Sequence, residues 1–267
     1  MNLAGKKHQP TETFPFTPVP IPRWKRILDI VVIVLTLPLL LPLAALVAVL
    51  IRAVSTGPIL FKQERVGYLG GRFMCLKFRT MFVGVDSAVH QGHLHDLINS
   101  DAPMTKMDSQ GDRRIIPFGL LLRSTGLDEL PQIINILQGE MSLVGPRPCL
   151  PYEYDKYLPW QKERFATLPG LTGLWQVRGK NKTTFTEMIE LDIDYGREKS
   201  LWLDLKIMSL TPLAIIIQIW EARQNGKLSL PTPQSKAAFQ NFRSYPSRKT
   251  AFAEVVRADG GDVLIRK

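Results

Sequence analysis

The chain has 267 residues, 45% of them hydrophobic, enough for a sizeable core in one or two domains. Its two cysteines, Cys75 and Cys149, exclude a disulfide framework and a short-spaced metal-ligand pair, and suit a reducing, cytosol-facing setting. The net charge of +10 lies in the two ends, since residues 27–221 hold 20 Lys/Arg and 20 Asp/Glu, which argues against nucleic acid and for anionic lipid headgroups.

Residues 1–22 carry Pro10, Pro15, Pro18, Pro20 and Pro22 without an apolar period and are predicted to be a disordered lead. No early apolar run with a small-residue cleavage site is present, so no signal peptide is predicted. A membrane segment follows at residues 27–52. Within it, Ile30 to Ile51 form a 22-residue run without a charge, long enough to span a bilayer. Pro38 and Pro42 interrupt that run, and Thr36 is placed to satisfy a carbonyl they free. Basic residues stand on both sides, Arg23, Lys25 and Arg26 before and Arg52, Lys62 and Arg65 after. A spanning helix usually shows charge asymmetry, so the expectation is a re-entrant helix-break-helix with both ends in the cytoplasm. A proline-kinked spanning helix is the alternative.

After Gly57-Pro58, the segment ILFKQERVGYLGGRFMCLKFRTM reads as two short strands joined by a turn at Gly67 to Gly71, with Lys77-Phe78-Arg79 closing the second arm. Residues 83–112 read as a polar loop. It holds His90, His93, His95 and Asp96, at a spacing that fits no zinc pattern well.

Residues 120–148 carry the densest chemistry. Leu130, Ile133, Ile134 and Leu137 fall at i, i+3, i+4, i+7, predicting one apolar helix face, and Gly139 is a natural stop. Pro131 is tolerated only in a first turn, so the helix is predicted to begin near Asp128. Asp128 and Glu129 then sit at the positive end of the helix dipole, where a carboxylate stays ionised and phosphate is attracted. An Asp at a helix start is often only a cap, stabilising by about 1 kcal/mol. The paired acid, Arg123 upstream and Arg147 fixed between Pro146 and Pro148 favour phosphoryl chemistry instead.

Tyr152 to Phe165 is predicted helical. Residues 168–182, LPGLTGLWQVRGKNK, form a glycine-rich basic turn with Arg178, Lys180 and Lys182 that matches neither phosphate-loop signature. A charged helix is predicted over 184–199. An apolar one is predicted over 201–220, either interfacial with Trp202 and Trp220 at headgroup level or packed in the core. From residue 223 to 267 a basic, loosely ordered tail is expected. The domain reading is therefore a lead (1–22), one domain (23–222) and a tail. The fold class is α+β, mostly helical, with a re-entrant membrane segment and a cytosolic catalytic body bearing a small β-hairpin.

The segments KRILDI, QERVGYLGGRFMCLKFRTM, LRSTGLDELPQIINILQGEMSLVGPRP, LPGLTGLWQV and LDLKI, in order over about residues 25–220, resemble the bacterial sugar transferase family, the monotopic polyprenyl-phosphate phosphoglycosyl transferases. The resemblance implies a protein of the bacterial inner membrane with its catalytic body on the cytoplasmic face. It implies transfer of a sugar-1-phosphate from a UDP-sugar to undecaprenyl or a similar polyprenyl phosphate, with release of UMP, opening the assembly of exopolysaccharide, capsule or O-antigen. The family's acidic dyad falls on Asp128 and Glu129, its arginine on Arg123 and its Pro-Arg-Pro on residues 146–148. Asp128 is the implied nucleophile, with Glu129 as base or metal ligand, and Mg2+ held by Asp128 and Glu129 as the implied cofactor. Arg123, Arg147, Lys77, Arg79, Arg178 and Lys180 form the candidate phosphate-binding set. Membrane lipids and a homodimer complete the expected partners. Lys180 stands where Arg is usual after Gly179, and Glu198-Lys199 replace the common Asn-Trp before Ser200. A membrane phosphohydrolase using the same acyl-phosphate step, or a non-catalytic assembly scaffold, are the competing functions. Galactose or glucose is the sugar the wider family suggests.

Overall fold

The computed structural model describes Phe16 and residues 20–82, 114–178 and 183–224. Helix α1, Arg23–Val54, runs through 32 residues without interruption. The expected break is not a break in the helix: Pro38 and Pro42 lie inside it, and each removes one backbone hydrogen bond. Thr36 does not serve the carbonyls of Val34 and Pro38 that the prolines leave free. Its hydroxyl donates to Val32 O at 2.7 Å and Ile33 O at 3.3 Å, the back-bonding common for Thr in apolar helices.

Only a few α1 side chains are covered by protein. Lys25, Asp29 and Ile33 are buried one turn apart near its start, and Val47 and Ile51 near its end. Between them Leu35, Leu39 and Leu41 are 74%, 72% and 64% exposed, an apolar surface too continuous for a helix bathed in water. Several flanking cations are also spent inside the protein. Lys25 Nζ donates to Asp204 Oδ2 (2.7 Å), Val144 O (2.8 Å) and Tyr195 OH (2.8 Å), and Arg26 bonds the Ile136 and Leu137 carbonyls. Asp29 accepts from Ser142 Oγ at 3.0 Å and Leu143 N at 2.9 Å.

Strands β1 (Leu60–Val66) and β2 (Arg72–Phe78) pair antiparallel from Leu60↔Phe78 to Val66↔Arg72, as the sequence predicts. The turn is made at Leu69 (φ 54) and Gly70 (φ 75), a left-handed pair that matches strand twist. Helix α2 (Gly119–Thr125) ends at Gly126, whose φ of 73 needs glycine, and a 3-10 turn at Leu127–Glu129 leads to α3 (Gln132–Gln138). Next come β3 (Ser142–Val144) and α4 (Pro151–Tyr154). A 3-10 segment at Pro159–Ala166 precedes β4 (Gly170–Thr172), which pairs parallel with β3. Then α5 (Leu174–Arg178), α6 (Phe185–Glu198) and α7 (Leu201–Gln224) close the described chain.

Two further predictions change. The single helix expected over Tyr152 to Phe165 is α4 plus the 3-10 segment, because Pro159 forces Leu158 into an extended conformation (ψ 155). The apolar face predicted for α3 is also turned: Gln132, Asn135 and Ile136 are buried, while Ile134 and Leu137 are 42% and 46% exposed. Asn135 explains the rotation. Its amide donates to Met74 O (2.8 Å) and accepts from Leu76 N (3.1 Å), satisfying the exposed edge of β2.

One core cluster joins β1, the 3-10 segment, α5 and α6, with Val66, Cys149, Tyr157, Phe165, Trp175, Phe185 and Ile189 packed together and Tyr154 of α4 against them. A Thr184–Glu187 capping box starts α6. Helix α7 buries Asp204 and Ile207 but leaves Trp202 and Trp220 76% and 59% exposed, nearer the interfacial expectation than the core one. Among the described residues, α1 and the Leu201–Glu221 part of α7 are long and apolar enough to cross a membrane. Residues 1–15 of the lead, the histidine cluster, Lys180 and Lys182, and the tail from residue 225 lie outside the described residues.

Candidate active site

The dyad sits in the 3-10 turn, not in the first turn of α3. Gly126 ends α2 in the left-handed region, Glu129 N bonds Gly126 O at 3.0 Å, and Pro131, helical in φ and ψ, caps the start of α3. The proline marks the helix start as expected in kind, but it precedes the first turn, and the helix begins at Gln132, four residues after Asp128. Glu129 Oε1 accepts from Lys77 Nζ at 2.8 Å and stands 3.4 Å from Arg147 Nη1. Lys77 comes from β2, Arg147 from the segment after β3. Two charges drawn from distant strands thus converge on one carboxylate, and Asp128 adds to the field on Arg147.

Arg147 is presented by a backbone held at three consecutive carbonyls. The Pro146 carbonyl accepts from Gly170 N (2.8 Å), that of Arg147 from Arg164 Nη2 (2.8 Å), and that of Pro148 from Arg65 Nη1 (3.1 Å). Three consecutive carbonyls are each held, with fixed φ at the two prolines. The β3–β4 pair beneath is tight enough to require glycine. A Cβ at Gly170 would lie 2.0 Å from Gly145 N, and one at Gly145 2.2 Å from Leu168 O. The glycine-rich stretch read as a basic turn is therefore a close backbone crossing.

A small polar pocket opens here, lined by Arg65, Lys77, Glu129, Gln132 and Arg147 with Cys75 at its floor. Burial lowers the affinity of Arg147 for its proton, but the nearby charges of Glu129, Glu153 and Asp128 raise it further, and the net shift is upward. Arg65 shifts the other way, through burial and then the Arg147 charge, with Glu153 opposing. Burial also raises Glu153 against the pull of Arg65, and it raises the Cys75 thiol, so that sulfur stays protonated. Two adjacent guanidinium groups present forked donors suited to an anion with several oxygens.

Of the candidate residues, Glu129, Lys77 and Arg147 line the pocket together, while Asp128, next to Glu129 in the 3-10 turn, acts on Arg147 through its charge and is not itself a lining residue. Arg123 lies in the last turn of α2 and is not among the pocket-lining residues. Arg79 is drawn elsewhere: it is buried and donates to Thr56 O (2.6 Å) and Ser55 O (3.1 Å), closing the end of α1. Arg178 is exposed at the end of α5. Arg65, Gln132 and Glu153 were missed. Strand alternation could have found Arg65, since in this hairpin register Arg65, Cys75 and Lys77 share one face.

The donor chemistry suits Mg2+. Asp128 and Glu129 offer hard carboxylate oxygens, and this ion commonly takes one or two carboxylates plus substrate phosphates. Among the described residues no group of three His, Cys, Asp or Glu side chains is placed to hold a metal.

Comparison with known proteins finds a family and several relatives. A family model described as bacterial sugar transferase matches residues 22–218. The galactosyl transferase CpsE of Streptococcus agalactiae is 42% identical over 162 residues, 60% of this chain and 35% of that protein. A UDP-glucose:undecaprenyl-phosphate glucose-1-phosphate transferase of Caulobacter vibrioides is 40% identical over 229 residues, covering 78% of this chain and 80% of the relative. The exopolysaccharide production protein ExoY of Sinorhizobium fredii is 36% identical over 193 residues, 72% of this chain and 85% of the relative.

Proposed function

Because the chain belongs to the bacterial sugar transferase family, we propose that it moves a sugar-1-phosphate from a UDP-sugar to a polyprenyl phosphate, releasing UMP. The observation that carries this reading is the carboxylate pair at a tight turn, with Glu129 between Lys77 and Arg147. A diphosphate entering the pocket meets two guanidinium groups and an ammonium, and its sugar-bearing phosphorus comes up against Asp128. The Asp128 carboxylate oxygen bonds to that phosphorus as the bond to the UMP oxygen breaks, leaving an acyl phosphate on Asp128. A phosphate oxygen of the lipid then attacks the same phosphorus, the acyl bond breaks, and the carboxylate is regenerated. Glu129 takes the proton from the incoming lipid phosphate or orients it, and Arg147 and Lys77 neutralise the oxygens. Mg2+, held by Asp128 and Glu129, supplies neutralisation of the diphosphate charge when bound.

Undecaprenyl phosphate is the carrier named for the Caulobacter relative, and it is the proposed acceptor here. The proposed sugar is glucose or galactose, and turnover against a panel of UDP-sugars decides it. The step opens exopolysaccharide, capsule or O-antigen assembly.

Arg147→Lys keeps the charge but not the two-pronged geometry, so kcat/KM should drop by roughly 10- to 100-fold with the melting temperature preserved. Unchanged turnover would remove Arg147 from the phosphate site.

Membrane seating follows from the bare apolar flank of α1. We place α1 as a re-entrant helix, bent by Pro38 and Pro42 so that both ends return to the cytoplasmic face of the inner membrane. Arg23 and Thr56 are exposed at its two ends, whereas Cys75 and Cys149 are buried. Arg23→Cys and Thr56→Cys should therefore both resist a membrane-impermeant thiol reagent added outside intact cells. Labelling of either one from outside would establish a spanning helix instead.

A further inference from the structure

Arg164 lies far from the dyad in sequence and is not among the pocket-lining residues, yet it bonds the backbone that presents Arg147. It is 2% exposed, among the largest buried side chains of the protein. One guanidinium nitrogen donates to Tyr157 OH at 2.8 Å. The other donates to Arg147 O at 2.8 Å and to Asp192 Oδ2, on α6, at 2.5 Å. The Tyr157 and Phe165 rings flank the guanidinium, with centroids 5.7 and 5.5 Å away. Burying an arginine is costly, and here its rigid planar fork is held by three acceptors at once.

Resting on the transferase reading above, we infer that Arg164, oriented by Asp192 and Tyr157, is a positioning residue that sets the angle at which Arg147 meets the phosphate. Arg147 sits between two prolines, so rotating its carbonyl rotates the whole peptide unit and with it the root of the side chain. Helix α6 thereby becomes the rigid support of a group it never touches. Burial pushes the Asp192 carboxyl up, to about 6, with Arg164 pulling it back; at neutral pH the pair is ionic.

The test uses the full chain in detergent, with Arg164→Lys, Tyr157→Phe and Arg147→Lys made singly and in pairs. Amide exchange of the segment 145–150 is read first and needs no substrate: it should rise several-fold in Arg164→Lys, more than in the β1–β2 hairpin. Kinetics with UDP-glucose or UDP-galactose come second. Arg164→Lys should lower kcat by roughly 30-fold with KM changed less, but by no more than about twofold when Arg147 is already Lys. A purely structural role would cost the same factor in both backgrounds, and that multiplicative result would overturn the proposal, as would unchanged exchange in 145–150. Should Arg164→Lys fail to fold, Tyr157→Phe removes one hydrogen bond while keeping the ring, and the same two readouts apply at smaller amplitude. Wild-type protein without turnover would defeat the transferase reading, while the exchange result would still decide whether Arg164 holds the Arg147 segment.

Discussion

Asp128→Asn is expected to abolish sugar-phosphate transfer, lowering kcat by roughly three orders of magnitude or more. The amide cannot form the acyl phosphate, yet it keeps the size of the side chain and asks nothing new of the turn formed by Gly126 and Pro131. The sharper readout is partial turnover. Wild-type protein given UDP-sugar and Mg2+, but no lipid acceptor, should release UMP in a burst of about one equivalent. Intact-mass measurement should show one added sugar-phosphate, cleared when polyprenyl phosphate is supplied. Asp128→Asn should show neither burst nor adduct. Glu129→Gln should slow turnover for another reason, since the Lys77 and Arg147 charges it balances lose their carboxylate partner. Near wild-type turnover by Asp128→Asn would replace the two-step scheme with direct attack by the lipid phosphate.

Gly170→Ala is expected to prevent a stable fold. The added methyl would sit 2.0 Å from Gly145 N and 2.4 Å from Thr172 O, both backbone atoms that cannot swing aside. Relief requires opening the β3–β4 pair and losing the Gly170 N to Pro146 O bond that holds the arginine segment. The cost should exceed about 4 kcal/mol. Gly126→Ala is the control. No atom lies within 4 Å of its added Cβ, and only the left-handed φ of 73 opposes it, a strain of about 1 kcal/mol. Thermal melting in detergent should separate the two variants clearly. Equal melting would mean that the crossing of Gly145 and Gly170 is looser than described.

Local chemistry was legible in the residues alone. The hairpin followed from two β-rich runs around Gly67 to Gly71, because turn residues and alternation are short-range signals. The dyad and Arg147 were singled out by two adjacent acids and by an arginine locked between prolines, again within a few positions. The long apolar helix α1 followed from its length without charge, which is a property of composition. What the sequence could not set was direction. The α3 period pointed to Ile134 and Leu137 as inner residues, but a buried Asn135 satisfying β2 outweighed the apolar count, since an unpaired buried amide costs more than an exposed leucine gains. Arg79 looked equivalent to Lys77, yet the carbonyls at the end of α1 claim it, while Lys77 reaches Glu129. Arg65, Glu153 and the Arg164–Asp192 pair could not be read as parts of the site or its support, because each gains its role from partners between about 20 and 90 positions away. Charges and hydrogen-bonding groups act through space within a few ångströms. Which of the many arginines become structural and which face the pocket is therefore decided only when β1, β2, β3 and α6 are packed together.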